Sequence, residues 1–149
     1  IKYLYELRNR YADTIIWDKL TAEPAMAHNV LNSRFEYIHV FSHKANRAIG
    51  TRDFRGTLEN VYMLNSRQGK EFSDIHRATF PLELPLFFVE QFTNNDELVY
   101  EPFAVTGTTL IAAHRTNRRC YGLEIEPRYA DVILKRAEAE NLVCELISE

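Results

Sequence analysis

Two acidic residues, Glu101 and Glu124, lie at either end of the segment whose residue types are most typical of a ligand-binding site. A run of small residues, Thr106–Thr109, lies between them. A turn of small residues that opens a helix exposes backbone N–H groups. An acidic side chain at the end of the next strand, roughly twenty positions on, can accept hydrogen bonds from both ribose hydroxyls. The pattern therefore predicts a site for an adenosyl nucleoside.

This segment lacks the sequence patterns of two other kinds of nucleotide-binding site. A dinucleotide enzyme needs the glycine fingerprint G-x-G-x-x-G, and a phosphate-binding loop needs Gly-Lys-Ser/Thr; neither pattern occurs here. The carboxylate of Glu101 would repel phosphate, whereas it could accept a hydrogen bond from a cationic amino-acid group. A Rossmann oxidoreductase is therefore the weaker interpretation.

The elements around these residues form a repeating strand and helix pattern. A strand at Glu97–Tyr100 leads into the turn, and a helix at Leu110–His114 ends near Asn117, a residue that tolerates the left-handed conformation. A second strand at Cys120–Ile125 ends close to Glu124, and Tyr129–Glu140 forms another helix after Pro127. Connections this short predict parallel strands.

The preceding residues predict a more irregular α/β region. Alternating or β-branched runs indicate strands at Thr14–Trp17, Phe35–Phe41 and Leu58–Leu64. Residues Leu20–Ser33 lack periodicity and predict a loop or a short helix. A helix is expected at Pro81–Phe92, with an apolar face of Leu84, Phe87, Phe88 and Phe92.

Composition sets broad limits on the protein class. The 149 residues, of which 46% are apolar and 26% charged, predict one compact domain over 1–149. The net charge of −3 provides no overall positive field. The two cysteines, Cys120 and Cys144, and the five histidines form no metal-ligand spacing, so no metal site is predicted. No long apolar run or signal peptide is visible, which predicts a cytoplasmic protein without membrane contact.

Three segments carry a resemblance to a known family. Glu101–Thr109 resembles the loop D-P-F-x-G-S-G-T-T of amino-methyltransferases that modify adenine N6 or cytosine N4 in DNA. Arg118–Tyr129 resembles the segment G-R-R-x-x-G-I-E-x-x-P-x-Y that follows, and His76–Pro85 is similar to H-x-A-x-F-P-x-x-L, which precedes the loop in members with permuted motif order. Ile15–Lys19 and Arg34–Ser42 resemble two strands of the same enzymes.

The resemblance implies a Rossmann-like α/β methyltransferase fold, with a mostly parallel sheet and helices on both faces. It implies S-adenosylmethionine as cofactor and DNA as partner. In such a site Glu101 and Thr106–Thr108 would contact the methionine part, Phe103 would line the pocket and Glu124 would hold the ribose. The residues expected to bind the cofactor are Glu101, Phe103, Ala104, Thr106, Gly107, Thr108, Glu124, His76 and Thr79.

A basic stretch over residues 43–56 has two interpretations of similar weight. It is either a solvated loop or an excursion that contacts the DNA backbone. In the second interpretation the contacting residues are Lys44, Arg47, Arg52 and Arg55.

Two departures from the family pattern matter for activity. Val105 stands where the family loop has its first glycine, and a β-branched residue resists positive φ. The family's catalytic tetrapeptide, Asp, Asn or Ser followed by Pro-Pro and an aromatic residue, is absent from these 149 residues. Because the first residue is Ile1, we expect an upstream segment to carry it. The alternative is a degenerate member that binds cofactor or DNA without turnover.

Overall fold

The computed structural model describes residues 2–24, 27–44, 48–49, 52–67, 74 and 79–147. The chain divides into two compact units, Ile1–Ser66 and Arg67–Glu149. The first unit contains α1 (Lys2–Glu6), a 3₁₀ turn (Arg8–Arg10), β1 (Tyr11–Glu23), β2 (Ser33–Phe41) and β3 (Val61–Met63). The second contains α2 (Glu83–Phe92), β4 (Leu98–Glu101), α3 (Thr108–Arg115), β5 (Arg119–Gly122) and α4 (Pro127–Ala139). None of the helices described is long and apolar enough to cross a membrane.

The first unit is built on a three-stranded sheet in the order β2-β1-β3. The central strand β1 pairs antiparallel with β2 and parallel with β3. The strands predicted from the β-branched and alternating runs are therefore confirmed, although β1 is longer than predicted and β3 is shorter. Trp17 of β1 is buried, and its indole N–H donates to the Leu64 carbonyl at 2.8 Å, which satisfies the polar end of a packed ring.

The loop or short helix predicted for Leu20–Ser33 is wrong at its start, because β1 continues to Glu23. The strand passes through an irregularity at Leu20, whose φ is 61°. Asp18 stabilises that irregularity, since its Oδ1 accepts the Leu20 N–H at 2.8 Å and its carboxylate pairs with the Arg34 guanidinium at 2.9 Å. The hydrogen bonds from Arg34 and then from Leu20 lower the pKa of Asp18.

The second unit contains the predicted strand, helix, strand and helix. β4 and β5 pair in parallel, with α3 between them in the chain, so this prediction is confirmed. Asn117 adopts the expected left-handed conformation, with φ 57°. β5, however, ends at Gly122 rather than at Ile125, because the next residues bond to the loop that follows β4. Glu124 therefore lies in a loop, two residues beyond the strand.

Helix α2 packs differently from its predicted apolar face. Leu84 is buried as expected, but Val89 is the other large apolar side chain buried on this helix. The phenylalanines are half-buried and pack on one another, with ring centroids 5.2 Å apart for Phe87 and Phe88 and 5.7 Å for Phe88 and Phe92. Aromatic rings can remove apolar surface from water by contacting each other, which helical periodicity does not reveal.

One arginine joins the carboxyl ends of α2 and α3. Arg118 Nε donates to Thr93 Oγ1 at 3.0 Å, and its Nη2 donates to the Thr93 carbonyl at 2.8 Å. Its Nη1 donates to the Thr116 carbonyl. A guanidinium at this point donates hydrogen bonds to carbonyl groups that have no partner within the helices. Its positive charge also interacts favourably with the negative carboxyl ends of both helix dipoles.

Candidate functional site

The loop between β4 and α3 is fixed against the residues that follow β5. The Leu123 N–H donates to the Glu101 carbonyl and the Ala104 N–H donates to the Leu123 carbonyl, each at 2.9 Å. Within the loop, the Gly107 N–H donates to the Ala104 carbonyl at 2.7 Å. The two segments that sequence reasoning paired, one after each strand, are therefore bonded to each other.

Glu124 is the side chain that links these segments. Its Oε2 accepts the Val105 N–H at 2.7 Å and its Oε1 accepts the Glu126 N–H at 2.8 Å. A carboxylate has about four lone-pair positions, so two such bonds orient the group and leave acceptor capacity on both oxygens. The half-buried Glu124 carboxylate is therefore a preorganised acceptor for hydroxyl groups.

The Glu101 side chain accepts hydrogen bonds from residues near both ends of the same loop. Its Oε1 accepts the Phe103 N–H at 3.0 Å and its Oε2 accepts the Thr109 hydroxyl at 2.9 Å. Burial, and then the negative charge of Glu101, raises the pKa of the Cys120 thiol to about 11. Cys120 therefore stays protonated at neutral pH and does not act as a nucleophile there.

Gly107 allows helix α3 to begin close to another helix. Its φ is 77°, and an added Cβ would lie 3.0 Å from Cγ1 of Ile133 on α4. Only glycine meets both conditions without strain. Gly107 is the N-cap of α3 and has no side chain to cap it, so no side chain among the described residues accepts the first N–H groups of this helix.

The loop side chains differ in exposure. Thr106 is 2% exposed, Ala104 and Thr108 are also buried, and the Thr106 and Thr108 hydroxyls lie 3.5 Å apart. A ligand would therefore meet mainly the backbone of these residues. The ring of Phe103 is 80% exposed and is available for contact. Val105 adopts a φ of 47°, which is unusual for a β-branched residue.

The remaining predicted site residues fall into three groups. Thr79 has a buried hydroxyl oxygen with no hydrogen-bond partner in the described part of the chain, an arrangement that calls for a further polar group. Lys44, Arg52 and Arg55 are exposed on the predicted excursion. His76 and Arg47 lie outside the described residues. Over the described ranges, no three His, Cys, Asp or Glu side chains are grouped to hold a metal ion.

Sequence reasoning missed three residues that shape this loop: Thr109, Gly122 and Arg136. Thr109 bonds Glu101, as described above. An added Cβ at Gly122 would lie 2.9 Å from Cδ1 of Leu110, so β5 approaches α3 closely there. A glycine inside a short strand is a usable signal of such an approach. Arg136 contacts the loop from α4, and nothing in its local sequence indicates this.

Comparison with known families matches residues 2–135 to the model of a family described as DNA methylase. The chain belongs to this DNA methylase family. The match covers both compact units, so the resemblance noted on separate motifs extends over most of the sequence.

Individual DNA methylases agree with this assignment. The type II beta methyltransferase M.BslI of Bacillus sp. (strain NEB-606) is 28% identical over 91% of this chain and 17% of the relative. The type II methyltransferase M.PvuII of Proteus hauseri is 34% identical over 50% of this chain and 22% of the relative. The matched part of this DNA methylase chain thus covers less than a quarter of the length of either relative.

A solved structure supports the fold class. TTHA0409 from Thermus thermophilus, a candidate DNA modification methylase crystallised with S-adenosyl-L-methionine, has a TM-score of 0.61 and 28% identity. The match covers 87% of this chain and 54% of that one. The predicted Rossmann-like α/β fold is confirmed. In the described residues its strands form two sheets, one mixed and one parallel, rather than a single sheet.

Proposed function

We propose that this chain forms the cofactor-binding part of a DNA amino-methyltransferase that methylates adenine N6 or cytosine N4. The observation that carries the proposal is the Glu124 carboxylate, held by the Val105 and Glu126 N–H groups beside an uncapped helix start. Membership of the DNA methylase family supports it. The cofactor proposed is S-adenosylmethionine, the ligand bound by the Thermus thermophilus relative.

The residues present fit this cofactor. Glu124 would accept hydrogen bonds from the two ribose hydroxyls, and the backbone of residues 104–108 would face the methionine end. The Glu101 carboxylate, already fixed by Phe103 and Thr109, retains lone pairs for the cationic amino group. Phe103 and Thr79 would line the pocket, as would His76.

When bound, the cofactor would supply the electrophilic methyl group of its sulfonium for transfer to the amino nitrogen of the base, which would give up one proton in exchange. The chain's own residues bind and orient the cofactor for this step. The base itself must be flipped from the duplex and its amino group aligned with the methyl carbon. The tetrapeptide that does this in the family is absent from the sequence, so we propose that this chain alone does not transfer the methyl group.

We also propose that the basic stretch over residues 43–56 contacts the DNA backbone. Lys44, Arg52 and Arg55 are exposed there, and Arg47, outside the described residues, belongs to the same stretch. Cationic side chains at the surface can neutralise phosphates even when the whole protein is acidic. Because DNA and S-adenosylmethionine are intracellular, the proposal implies an intracellular protein.

Transfer of tritiated methyl groups from S-adenosylmethionine to duplex DNA tests this function. The chain alone should give no DNA-bound label. The chain joined to an upstream segment that carries the tetrapeptide should give label, and the same fusion with the first tetrapeptide residue changed to alanine is the control. The rival function is cofactor or DNA binding without turnover. Absence of label from the fusion, with cofactor binding intact, would favour that rival and reject methyl transfer.

A further inference from the structure

A buried arginine on α4 bonds the back of the cofactor loop. Arg136 is 8% exposed, and its Nη1 donates to the Thr106 carbonyl at 2.7 Å and to Thr108 Oγ1 at 3.1 Å. These two acceptors flank Gly107, the residue at which α3 begins. Burial of a guanidinium is costly unless its donors are bonded. The position of Arg136 is therefore tied to the conformation of this loop.

The bond to Thr106 acts on the peptide unit that contains the Gly107 N–H. Because a peptide unit is planar, a hydrogen bond that fixes the Thr106 carbonyl also fixes the direction of the Gly107 N–H. That N–H donates to the Ala104 carbonyl at 2.7 Å and so sets the curvature of the loop. Ile133, one helical turn before Arg136, packs against Gly107 on the same side.

The charge of Arg136 has a second effect. Its guanidinium lies at the amino end of α3, where the helix dipole is also positive. Two positive features at one place favour a negatively charged group on a ligand that approaches the loop. S-adenosylmethionine carries one such group, the carboxylate of its methionine part.

We propose that Arg136 is a positioning residue for the carboxylate end of the cofactor. It orients the backbone of Thr106–Thr108 and favours the ligand's negative charge without touching the ligand. This inference rests on the proposed function and extends it to a residue on another helix. A purely structural role would instead weaken the binding of every ligand at this site to the same extent.

Calorimetric binding of two ligands separates these roles. S-adenosylhomocysteine contains the amino-acid part, whereas 5′-methylthioadenosine lacks it. Arg136→Met should weaken S-adenosylhomocysteine binding about tenfold or more, because the ligand's carboxylate loses the favourable field of the guanidinium and the backbone of Thr106–Thr108 loses the bond that orients it. It should weaken 5′-methylthioadenosine binding by less than about twofold. Arg136→Lys, which keeps the charge, should recover part of the loss. If Arg136→Met does not fold, the affinities of Arg136→Lys for the two ligands are compared instead.

Arg115→Met is the matched control, because Arg115 is an exposed arginine on α3 whose guanidinium pairs with Glu140 at the end of α4. It should leave the ratio of the two affinities unchanged. An equal loss for both ligands in Arg136→Met, or no loss for either, would overturn the inference. Failure of the unmodified chain to bind either ligand would instead reject the proposed function.

Amide hydrogen exchange in the ligand-free chain gives a second, independent readout. Arg136→Met should accelerate exchange of the Gly107 N–H by about tenfold or more, since its peptide unit loses the bond that orients it. Arg115→Met should leave this rate near that of the unmodified chain. Unchanged Gly107 exchange in Arg136→Met would contradict the positioning role whatever the ligands do.

Discussion

Val105 combines a β-branched side chain with a left-handed backbone at the centre of the loop. A φ of 47° costs a residue with a Cβ about 1–2 kcal/mol relative to an ordinary conformation. In that conformation its N–H points at Glu124 Oε2, 2.7 Å away. The strain is therefore coupled to the placement of the proposed ribose acceptor, as expected where a local conformation serves a binding site.

Val105→Gly should stabilise the second unit. Glycine adopts positive φ without steric cost, although it loses more backbone entropy on folding, so we expect a net gain of about 0.5–1 kcal/mol in the free energy of unfolding. The variant should also bind S-adenosylmethionine more tightly, because the family loop has glycine at this position. Thermal unfolding followed by calorimetry measures the first effect and a binding titration the second.

Asn117→Gly is the control for Val105→Gly. Asn117 also has a positive φ, 57°, but asparagine tolerates this conformation and its replacement should change stability by only a few tenths of a kcal/mol. Equal gains for the two variants, or unchanged cofactor affinity in Val105→Gly, would show that Val105 does not strain the site.

At the scale of residues, the sequence predicts the roles of those side chains whose position follows from the order of strands and helices along the chain. Glu101 ends β4 and Glu124 lies two residues beyond β5, so their approach to one loop is a consequence of parallel pairing. Arg136 is different, because its contact with Thr106 depends on where α4 lies relative to the loop before α3. Tertiary geometry of this kind leaves no pattern in a single sequence.

At the scale of elements, the parallel arrangement of β4 and β5 follows from short connections through α3. The end of β5 was not predictable in the same way. Leu123 continues the apolar run but bonds to both Glu101 and Ala104, which bends the chain away from the sheet edge. Apolar periodicity marks which residues are strand-like, whereas the last ladder bond depends on the neighbouring loop.

Arg118→Ala should destabilise the second unit more than the same change at its neighbour in sequence, Arg119. The variant removes three charge-assisted hydrogen bonds that join the ends of α2 and α3. We expect a loss of about 2–3 kcal/mol in the free energy of unfolding, measured by urea denaturation. Arg119→Ala, at the exposed start of β5, should change it by less than about 0.5 kcal/mol. Similar losses in both variants would contradict the joining role.

At the scale of the molecule, the described residues form two compact units, and the second holds every described residue of the proposed cofactor site. The sequence predicts the family because its motifs carry cofactor chemistry in short, contiguous runs. It predicts much less about catalysis, since the group that aligns the base is not among the residues present. DNA specificity depends on loops whose side chains have no general code.

The central claim is that Glu124 holds the adenosyl cofactor, and isothermal titration with S-adenosylmethionine tests it most directly. The unmodified chain should release or absorb heat on binding, and Glu124→Ala should abolish that heat. Glu124→Gln, which keeps one carbonyl oxygen for the backbone N–H groups, should weaken binding about tenfold or more. Glu126→Ala is the control, because this neighbouring acid pairs with the exposed Arg128 and should leave the affinity unchanged. Absence of heat from the unmodified chain at about 1 mM ligand, or unchanged affinity in Glu124→Ala, would contradict the account.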